Sequence, residues 1–339
     1  MKLINCLLIA VLSTSSLHAQ GGSKGTWIDP NNDTIPASFA VQGEYLGEVD
    51  AAGKKQKLGC QVIALGDGTL QAILLPGGLP GAGWDGGNKM IMDGELDATG
   101  VAKFVPADGK KSYISKNLKE FSATKQFPPT GHKACSATIT VGKLSGKTAD
   151  GHAFELKKVQ RKSKTLGADP PAGATVLFDG SNKDAWNGGR VDEKTKFLNT
   201  DSKDIHSKKG YASYKVHLEF MLPFRPAGRG QGRGNSGFYQ SNGYEVQVLD
   251  SFGLDGLNNE CGGVYKKAQP KVNMCFPPLS WQTYEVEMKR EGGKSFLTVH
   301  HNGVLIHDKL EGGGGGVRHF TLQGHGNPLQ YRNIWIEEK

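Results

Sequence analysis

The stretch GRGQGRGNSGFYQSNGYEVQVLD, from Gly228 to Asp250, joins a glycine-rich loop to a short run of alternating side chains. In residues 244–249, apolar and polar side chains alternate with the period of two that is typical of a β-strand with one buried face. The apolar face carries Tyr244, Val246 and Val248, and the polar face carries Glu245 and Gln247. The sequence therefore predicts a strand that turns a carboxylate and an amide away from the core.

A second run with the same alternation covers residues 214–220. Its apolar positions are Tyr214, Val216, Leu218 and Phe220, and its polar positions include His217 and Glu219. If both strands belong to one sheet, the polar groups of both share its outer surface. Such a surface could hold a sugar or remove a proton from it.

Length and composition favour an all-β protein with two domains. The chain has 339 residues, enough for two separate cores, and its 48 glycines come with no long helical period. Short strands joined by turns are the expected elements. The formal charge of +8 comes from dispersed lysines without a basic helix. This pattern favours a solvated basic surface over a nucleic-acid partner.

The first segment, residues 1–19, has a basic start, a short apolar run and a small-residue ending. These features predict a secretory signal peptide that is cleaved before Gln20 and takes Cys6 with it, so we expect a secreted or periplasmic protein. No later stretch is long and apolar enough to predict a membrane span.

Four cysteines remain after this segment, an even number in an oxidising compartment. Three pairings are formally possible. The pairing that keeps each bridge within its own half joins Cys60 with Cys135 and Cys261 with Cys275. The alternative is that all four are reduced and buried.

Two domains with a linker are expected. Short alternating runs and Gly-rich turns in residues 38–160 predict a small antiparallel β-barrel or meander. Residues 161–173 contain basic residues and Pro170-Pro171, which is typical of a linker. Residues 174–339 form the second predicted domain.

The second domain is similar to the 3-keto-disaccharide hydrolase family, whose fold resembles a concanavalin-like jelly-roll sandwich. The resemblance is carried by motifs in the family's order: Leu177–Gly180, His217–Phe220, Gly234–Gly237, Tyr244–Asp250, Trp281–Tyr284, Leu322–Gly326 and Tyr331–Ile336. One departure is Gly324, where many relatives carry Asp. The first domain resembles the small β domain that precedes the hydrolase domain in some exported bacterial members.

The resemblance implies a glycosidase-like enzyme that acts on a sugar already oxidised to a ketone, with an oligosaccharide or glycoside as its partner. A ketone acidifies the neighbouring C–H, so a carboxylate or imidazole can remove that proton, and the glycosidic oxygen can then leave by elimination. Ordinary hydrolysis by two carboxylates is the alternative route.

Glu245 is the best-supported acid or base by its position. The other candidates for catalysis are Glu219, His325, Asp250 and Arg332, although a structural salt bridge would account equally well for Asp250 and Arg332. Residues that could bind the substrate are His217, Asn235, Gln247, Arg233, Tyr265 and Gln323. Arg233 belongs to the glycine-rich loop, which either closes over a ligand or forms a solvated hairpin tip.

Two questions remain open from the sequence. No cofactor is certain, but a divalent metal ion is possible if His217, Glu219, Glu245 and His325 converge, because it would polarise the ketone. The alternative to an enzyme is a carbohydrate-binding, lectin-like protein, since one fold can serve both functions.

Overall fold

The computed structural model describes residues 25–51, 53–314 and 316–339. It confirms the all-β fold class, with an antiparallel barrel followed by a two-sheet sandwich. The predicted signal peptide lies outside the described residues. In the part of the chain that the structure covers, no helix combines the length and the apolar character that crossing a membrane requires.

The first body is a closed barrel of eight antiparallel strands, ordered β1-β10-β9-β8-β5-β4-β3-β2. A short helix, α1 (Ser38–Val41), precedes it, and the tight turn at Asp67 and Gly68 has positive φ at both residues, as a two-residue hairpin requires. The barrel strands are β1 (Gly43–Ala51), β2 (Lys54–Gly66), β3 (Thr69–Pro76), β4 (Met90–Leu96), β5 (Ala102–Pro106), β8 (Ser136–Thr140), β9 (Lys143–Lys147) and β10 (Ala153–Val159). Between β5 and β8 lie β6 (Ser112–Tyr113), a 3₁₀ turn (Leu118–Glu120) and β7 (Phe121–Ser122).

The second body is a sandwich of two antiparallel sheets. The eight-stranded sheet has the order β13-β14-β23-β16-β19-β20-β21, with β11 also paired to β23. Its strands are β11 (Thr175–Phe178), β13 (Arg190–Val191), β14 (Leu198–Asn199), β16 (Tyr214–Met221), β19 (Trp281–Glu291), β20 (Lys294–His301), β21 (Val304–Gly312) and β23 (Gln330–Glu338). β20 and β21 meet at Asn302-Gly303, an Asn-Gly turn with positive φ at both residues.

The five-stranded sheet has the order β12-β15-β22-β17-β18. Its strands are β12 (Trp186–Asn187), β15 (Ile205–Tyr211), β17 (Asn235–Tyr239), β18 (Glu245–Leu249) and β22 (Arg318–Leu322). A second 3₁₀ turn, Gly230–Gly232, lies in the glycine-rich loop before β17.

Alternation along each strand decides which side chains enter the core between the sheets. Val246 and Val248 of β18, and Leu218 and Phe220 of β16, are fully buried in that core. The intervening polar residues therefore point to the outer faces, but they belong to different sheets: β16 lies in the eight-stranded sheet and β18 in the five-stranded one.

The barrel and the sandwich share an apolar core. Ile63 and Ile73, on the outer side of the barrel, belong to the same buried cluster as Phe252 of the sandwich. The connecting segment is also fastened: Arg161 binds Glu44 through two nitrogens at 2.6 Å, and Ser163 bonds with Thr283 at 2.6 Å. The two bodies are thus held together by packing and by polar contacts.

The expected disulfides are wrong for this structure, because the four described cysteines are free, buried thiols. A disulfide needs its sulfurs about 2 Å apart. Instead, Cys135 Sγ lies 3.6 Å from Met90 Sδ, and Cys261 Sγ lies 3.3 Å from the Tyr284 hydroxyl. Cys60 is buried inside the barrel, and Cys275 donates towards the Leu249 carbonyl at 3.6 Å.

Candidate active site

Glu245 is the first residue of β18 and lies on the polar outer face of the five-stranded sheet. In the register of β17 with β18, Tyr239 is paired with Glu245 and Gly237 with Gln247. The Glu245 side chain bends over Gly237, and a Cβ at Gly237 would collide with its Oε1. The absence of a side chain at position 237 therefore makes the space that the carboxylate occupies.

The surroundings of Glu245 favour its protonated form. Burial raises the pKa of Glu245; a hydrogen bond from Tyr239 opposes this shift, and the negative charge of Asp204 adds to it. The same burial, together with Glu245, raises the pKa of the Tyr239 hydroxyl, which therefore remains a donor. A carboxyl group with a raised pKa beside a phenol is suited to exchange a proton with a ligand.

Asp204 reaches this face from the chain just before β15. Its Oδ1 accepts a hydrogen bond from the backbone N–H of Gly324 at 2.9 Å. A side chain at position 324 would collide with the backbone of Lys203. Gly324 thus permits the close approach that brings the Asp204 carboxylate towards Tyr239 and Glu245.

Amide side chains continue the polar face beyond Gly237. Asn235 Nδ2 donates to Gln231 Oε1 at 2.7 Å, and Gln247 Nε2 reaches the same oxygen at 3.3 Å. Among the residues described, Asn235 Oδ1 and Gln247 Oε1 are buried without a hydrogen-bond partner. Buried acceptors are normally paired, so these two oxygens are available to donors such as sugar hydroxyls.

Three further residues expected at the site lie at its margins. Gln323 Nε2 donates to the Tyr239 hydroxyl at 3.3 Å, so Gln323 lies beside the residue that hydrogen-bonds to Glu245. Tyr265 donates its backbone N–H to the carbonyl of Glu245 at 3.0 Å, and its side chain is half-buried. His325 lies in the loop after β22 with its side chain exposed.

His217 and Glu219 lie on the outer face of the other sheet, so the structure does not bring them to Glu245. His217 Nδ1 is 3.1 Å from Glu285 Oε1, and its ring stacks on Trp335 at 5.1 Å. Glu219 accepts from Arg332 Nε at 2.7 Å and from the backbone N–H of Gly167 at 2.6 Å. This group is a buried polar network beneath the segment that links the two bodies.

The ionisation of this network follows from its contacts. Burial opposes ionisation of Glu219, but the hydrogen bonds from His217, Asn333, Gly167 and Arg332 outweigh it and lower the pKa of Glu219 to about 2. Burial likewise opposes protonation of His217, but hydrogen bonds to Glu219 and Glu285 leave the pKa of His217 raised. The raised pKa favours the protonated form of His217 between Glu219 and Glu285.

Arg233 and Asp250 form a buried ion pair, not a part of the polar face. Arg233 Nε binds Asp250 Oδ2 at 2.8 Å, and its Nη atoms donate to the Pro226 carbonyl at 2.8 Å and to the Ala64 carbonyl of the barrel at 3.1 Å. Burial raises the pKa of Asp250 although Arg233 opposes the shift. The pair fastens the glycine-rich loop against the barrel.

The four groups proposed from the sequence as metal ligands do not converge. His217 and Glu219 lie on the side of the eight-stranded sheet, whereas Glu245 and His325 lie on the side of the five-stranded sheet. Within the described ranges, no three His, Cys, Asp or Glu side chains are grouped as metal ligands. The polar face instead offers the carboxyl groups of Glu245 and Asp204, the Tyr239 phenol and amide groups, which suit hydroxyl and carbonyl ligands.

Sequence reasoning missed Tyr239, Asp204 and Gln231. Tyr239 had a local signal, since Asn235, Gly237 and Tyr239 alternate on a strand that a Gln-Ser-Asn-Gly turn connects to β18. Asp204 and Gln231 had none, because their contacts depend on long-range packing.

The second body is similar to known proteins. Residues 173–337 match the model of the family described as 3-keto-alpha-glucoside-1,2-lyase-like domain. A crystal structure of a candidate glycosyl hydrolase from Parabacteroides distasonis ATCC 8503 is 30% identical, with a TM-score of 0.45, over 50% of this chain and 84% of that one. A second such structure from the same organism is 18% identical, with a TM-score of 0.38, over 49% of this chain and 94% of that one. No curated protein matches the chain.

Proposed function

Because residues 173–337 form a 3-keto-alpha-glucoside-1,2-lyase-like domain, we propose that the protein is an exported enzyme that cleaves the glycosidic bond of 3-keto-glycosides. The observation that carries the proposal is the Glu245 carboxylate on the outer face, with its raised pKa and its bond to Tyr239. The description of the family supports the substrate class, and the acid–base group supports the chemistry.

The reaction begins with removal of the proton on the carbon between the ketone and the anomeric carbon. The C–H electrons pass into an enolate, and the C–O bond to the leaving group then breaks as a C=C bond forms. The leaving oxygen takes up a proton. Water can add to the unsaturated ketone afterwards, which gives the products of net hydrolysis.

Glu245 is the proposed base, because a carboxylate with a raised pKa takes a proton from carbon more readily than an ordinary one. Tyr239 orients the carboxylate and donates a hydrogen bond to it. Gln323, Asn235 and Gln247 supply amide donors and acceptors for hydroxyls and for the developing enolate oxygen.

The test is the Glu245→Gln variant, assayed with 3-keto-disaccharides and their parent disaccharides. Size and hydrogen bonding are nearly retained, so we expect an unchanged melting temperature, retained sugar binding and a kcat lowered at least ~100-fold. Glu95→Gln, an exposed position on the barrel, is the matched control and should keep full activity.

Two outcomes would contradict the proposed function. Full activity in the Glu245→Gln protein would remove Glu245 from the mechanism. If the wild-type protein binds sugars but releases no product from keto or parent substrates, with and without added divalent metal ions, the protein is a carbohydrate-binding protein instead.

Export is part of the proposal and rests on the sequence of residues 1–19. Expression of the full chain in a Gram-negative host should give a periplasmic or secreted product that begins at Gln20 by N-terminal mass spectrometry. A cytoplasmic product that retains Met1 would contradict it.

A further inference from the structure

A cavity of about 380 Å³ opens on the outer face of the eight-stranded sheet. It lies on the opposite side of the sandwich from Glu245, with both sheets between them. Its walls are the segment 167–169, the turn 195–197, and the side chains of Asp179, Arg332 and Asn333, with Glu219 at its base. Its volume lies within the range of small-ligand pockets.

Arg332 is held in place in this cavity by two contacts. Its guanidinium stacks on Trp281, with its central carbon 4.1 Å from the ring centroid, and its Nε binds the buried Glu219 at 2.7 Å. The contacts among the described residues engage only Nε, so both Nη groups are unpaired, and the side chain is 33% exposed. A guanidinium fixed in this way presents its remaining donors at little entropic cost.

Acceptors face these donors across the cavity. Asp179 uses its Oδ1 for the Ser181 turn, which lowers the pKa of Asp179 and leaves a carboxylate with a second oxygen. Asp169 adds an exposed carboxylate, and Lys196 adds an exposed ammonium. A simple anion would meet two carboxylates here, and a simple cation would meet Arg332 and Lys196.

A neutral ligand with many hydroxyl groups fits both kinds of partner, because each hydroxyl can donate and accept. Phe197 completes the set: its half-buried ring lines the cavity and packs edge-on against Trp281, with centroids 4.8 Å apart. An aromatic ring offers a surface for the C–H face of a sugar.

We propose that this cavity, which we call the Arg332 cavity, is a second binding site that takes a neutral sugar unit of a glycan away from the Glu245 face. Its ligand class agrees with the proposed function, but the site does not depend on catalysis. The Arg332 cavity would hold a glycan on the enzyme's surface while another part of that glycan, or a second glycan chain, is cleaved at Glu245.

The experiment measures maltotetraose binding by calorimetry to the full-length Glu245→Gln protein, with and without the pair Lys196→Asn and Asp169→Asn. Asn tolerates the positive φ of Lys196 (60°), so the fold should be retained. We expect at least a tenfold weaker affinity in the pair. Lys194→Asn, on the same turn but outside the cavity, should bind like its parent.

A second variant tests the guanidinium itself. Arg332→Lys keeps the charge beside Glu219 but loses the planar stacking on Trp281, so affinity should fall by a similar factor. The Lys196→Asn and Asp169→Asn pair, made with Glu245 intact, should retain kcat on a 3-keto-disaccharide, which separates this site from the catalytic face.

Three results would overturn the proposal: no maltotetraose binding by the parent protein, equal binding by the cavity variants, or stronger binding of glucuronate than of maltotetraose, which would mark an anion site. Failure of the proposed function has a different signature, because it would abolish turnover by the wild-type protein and leave binding at the Arg332 cavity intact.

Discussion

Gly237 and Glu245 show how one missing side chain positions a reactive group. The carboxylate of Glu245 occupies the space where a Cβ at position 237 would lie. Gly237→Ala has no φ penalty, since Gly237 is not in the left-handed region. We therefore expect a folded protein whose kcat falls at least ~10-fold, because the carboxylate is displaced. Steady-state kinetics with a 3-keto-disaccharide is the measurement.

Gly313→Ala is the matched control for that substitution. Gly313 also lacks positive φ, and an added Cβ there meets nothing within 4 Å. Its activity should match the wild type. Equal losses in both variants would show that the effect at position 237 is not specific to Glu245.

The pH dependence of kcat/KM follows from the neighbours of Glu245. As a base, Glu245 must be ionised, so activity should fall as pH drops through its raised pKa. Asp204→Asn removes a negative charge that raises the pKa of Glu245, so it should move this acidic limb to lower pH. Tyr239→Phe removes a hydrogen bond to the carboxylate and should move it to higher pH. Shifts in the same direction, or none, would exclude Glu245 as the titrating group.

At the scale of single residues, the alternation of apolar and polar side chains predicted which residues of one strand share a face. Glu245 and Gln247 share an outer face, as residues 244–249 indicated. Asp204 could not be predicted, because it approaches Glu245 only through the packing of Gly324 against Lys203.

At the scale of elements, β16 fastens the segment that links barrel and sandwich. Gly167 donates to Glu219, Ala168 accepts from Trp335 Nε1 at 3.1 Å, and Thr165 binds Glu285. The groups that face His217 are Glu219 on its own strand, Glu285 from β19, and Asn333 and Trp335 from β23. The charge state of His217 therefore bears on how firmly this segment is held.

The folded pKa of His217 is raised, so its contribution to stability is fully present below its ordinary pKa. It is lost as pH rises through the folded value. His217→Gln should therefore lower the free energy of unfolding by on the order of 2 kcal/mol at mildly acidic pH and by less at alkaline pH. Urea unfolding across this range is the measurement. A difference that is constant with pH, or that grows with it, would contradict the assignment of His217 as a buried cation.

The sequence predicted that His217 and Glu219 lie on the polar face of a strand, but it could not predict to which of the two sheets that strand belongs. Alternation gives the face of a strand relative to its own neighbours, whereas the partner strands decide to which sheet it belongs. β16 pairs with β19 and β23, and β18 pairs with β17, so the two polar faces point to opposite sides of the sandwich.

At the scale of the whole molecule, the shared core should make barrel and sandwich unfold together. Ile73 is 1% exposed and lies in the buried cluster that spans both bodies. Ile73→Ala should cost about 2–4 kcal/mol and lower one common transition in calorimetry. Val141→Ala, at a barrel position that is 97% exposed, should have little effect. Two separate transitions in the wild-type protein would contradict a shared core.

The all-β class was predictable at this scale because strands with period two and Gly-rich turns recur along the whole chain. The cysteine pairing was not. An even count of cysteines says nothing about the distance between sulfurs. In the structure all four described cysteines are free, buried thiols, and Cys261 and Cys275 are hydrogen-bonded neighbours without a bridge.

The central claim is that Glu245 removes the proton beside the ketone, and hydrogen exchange at that carbon tests it most directly. A 3-keto-disaccharide that carries deuterium at this position is incubated with the enzyme in ordinary water, and recovered substrate and products are examined by NMR. The wild-type protein should release the deuterium to solvent during turnover, and the Glu245→Gln protein should bind the sugar but retain the label. Release of the label at the wild-type rate by Glu245→Gln, or products that keep the label with the wild-type protein, would contradict the claim.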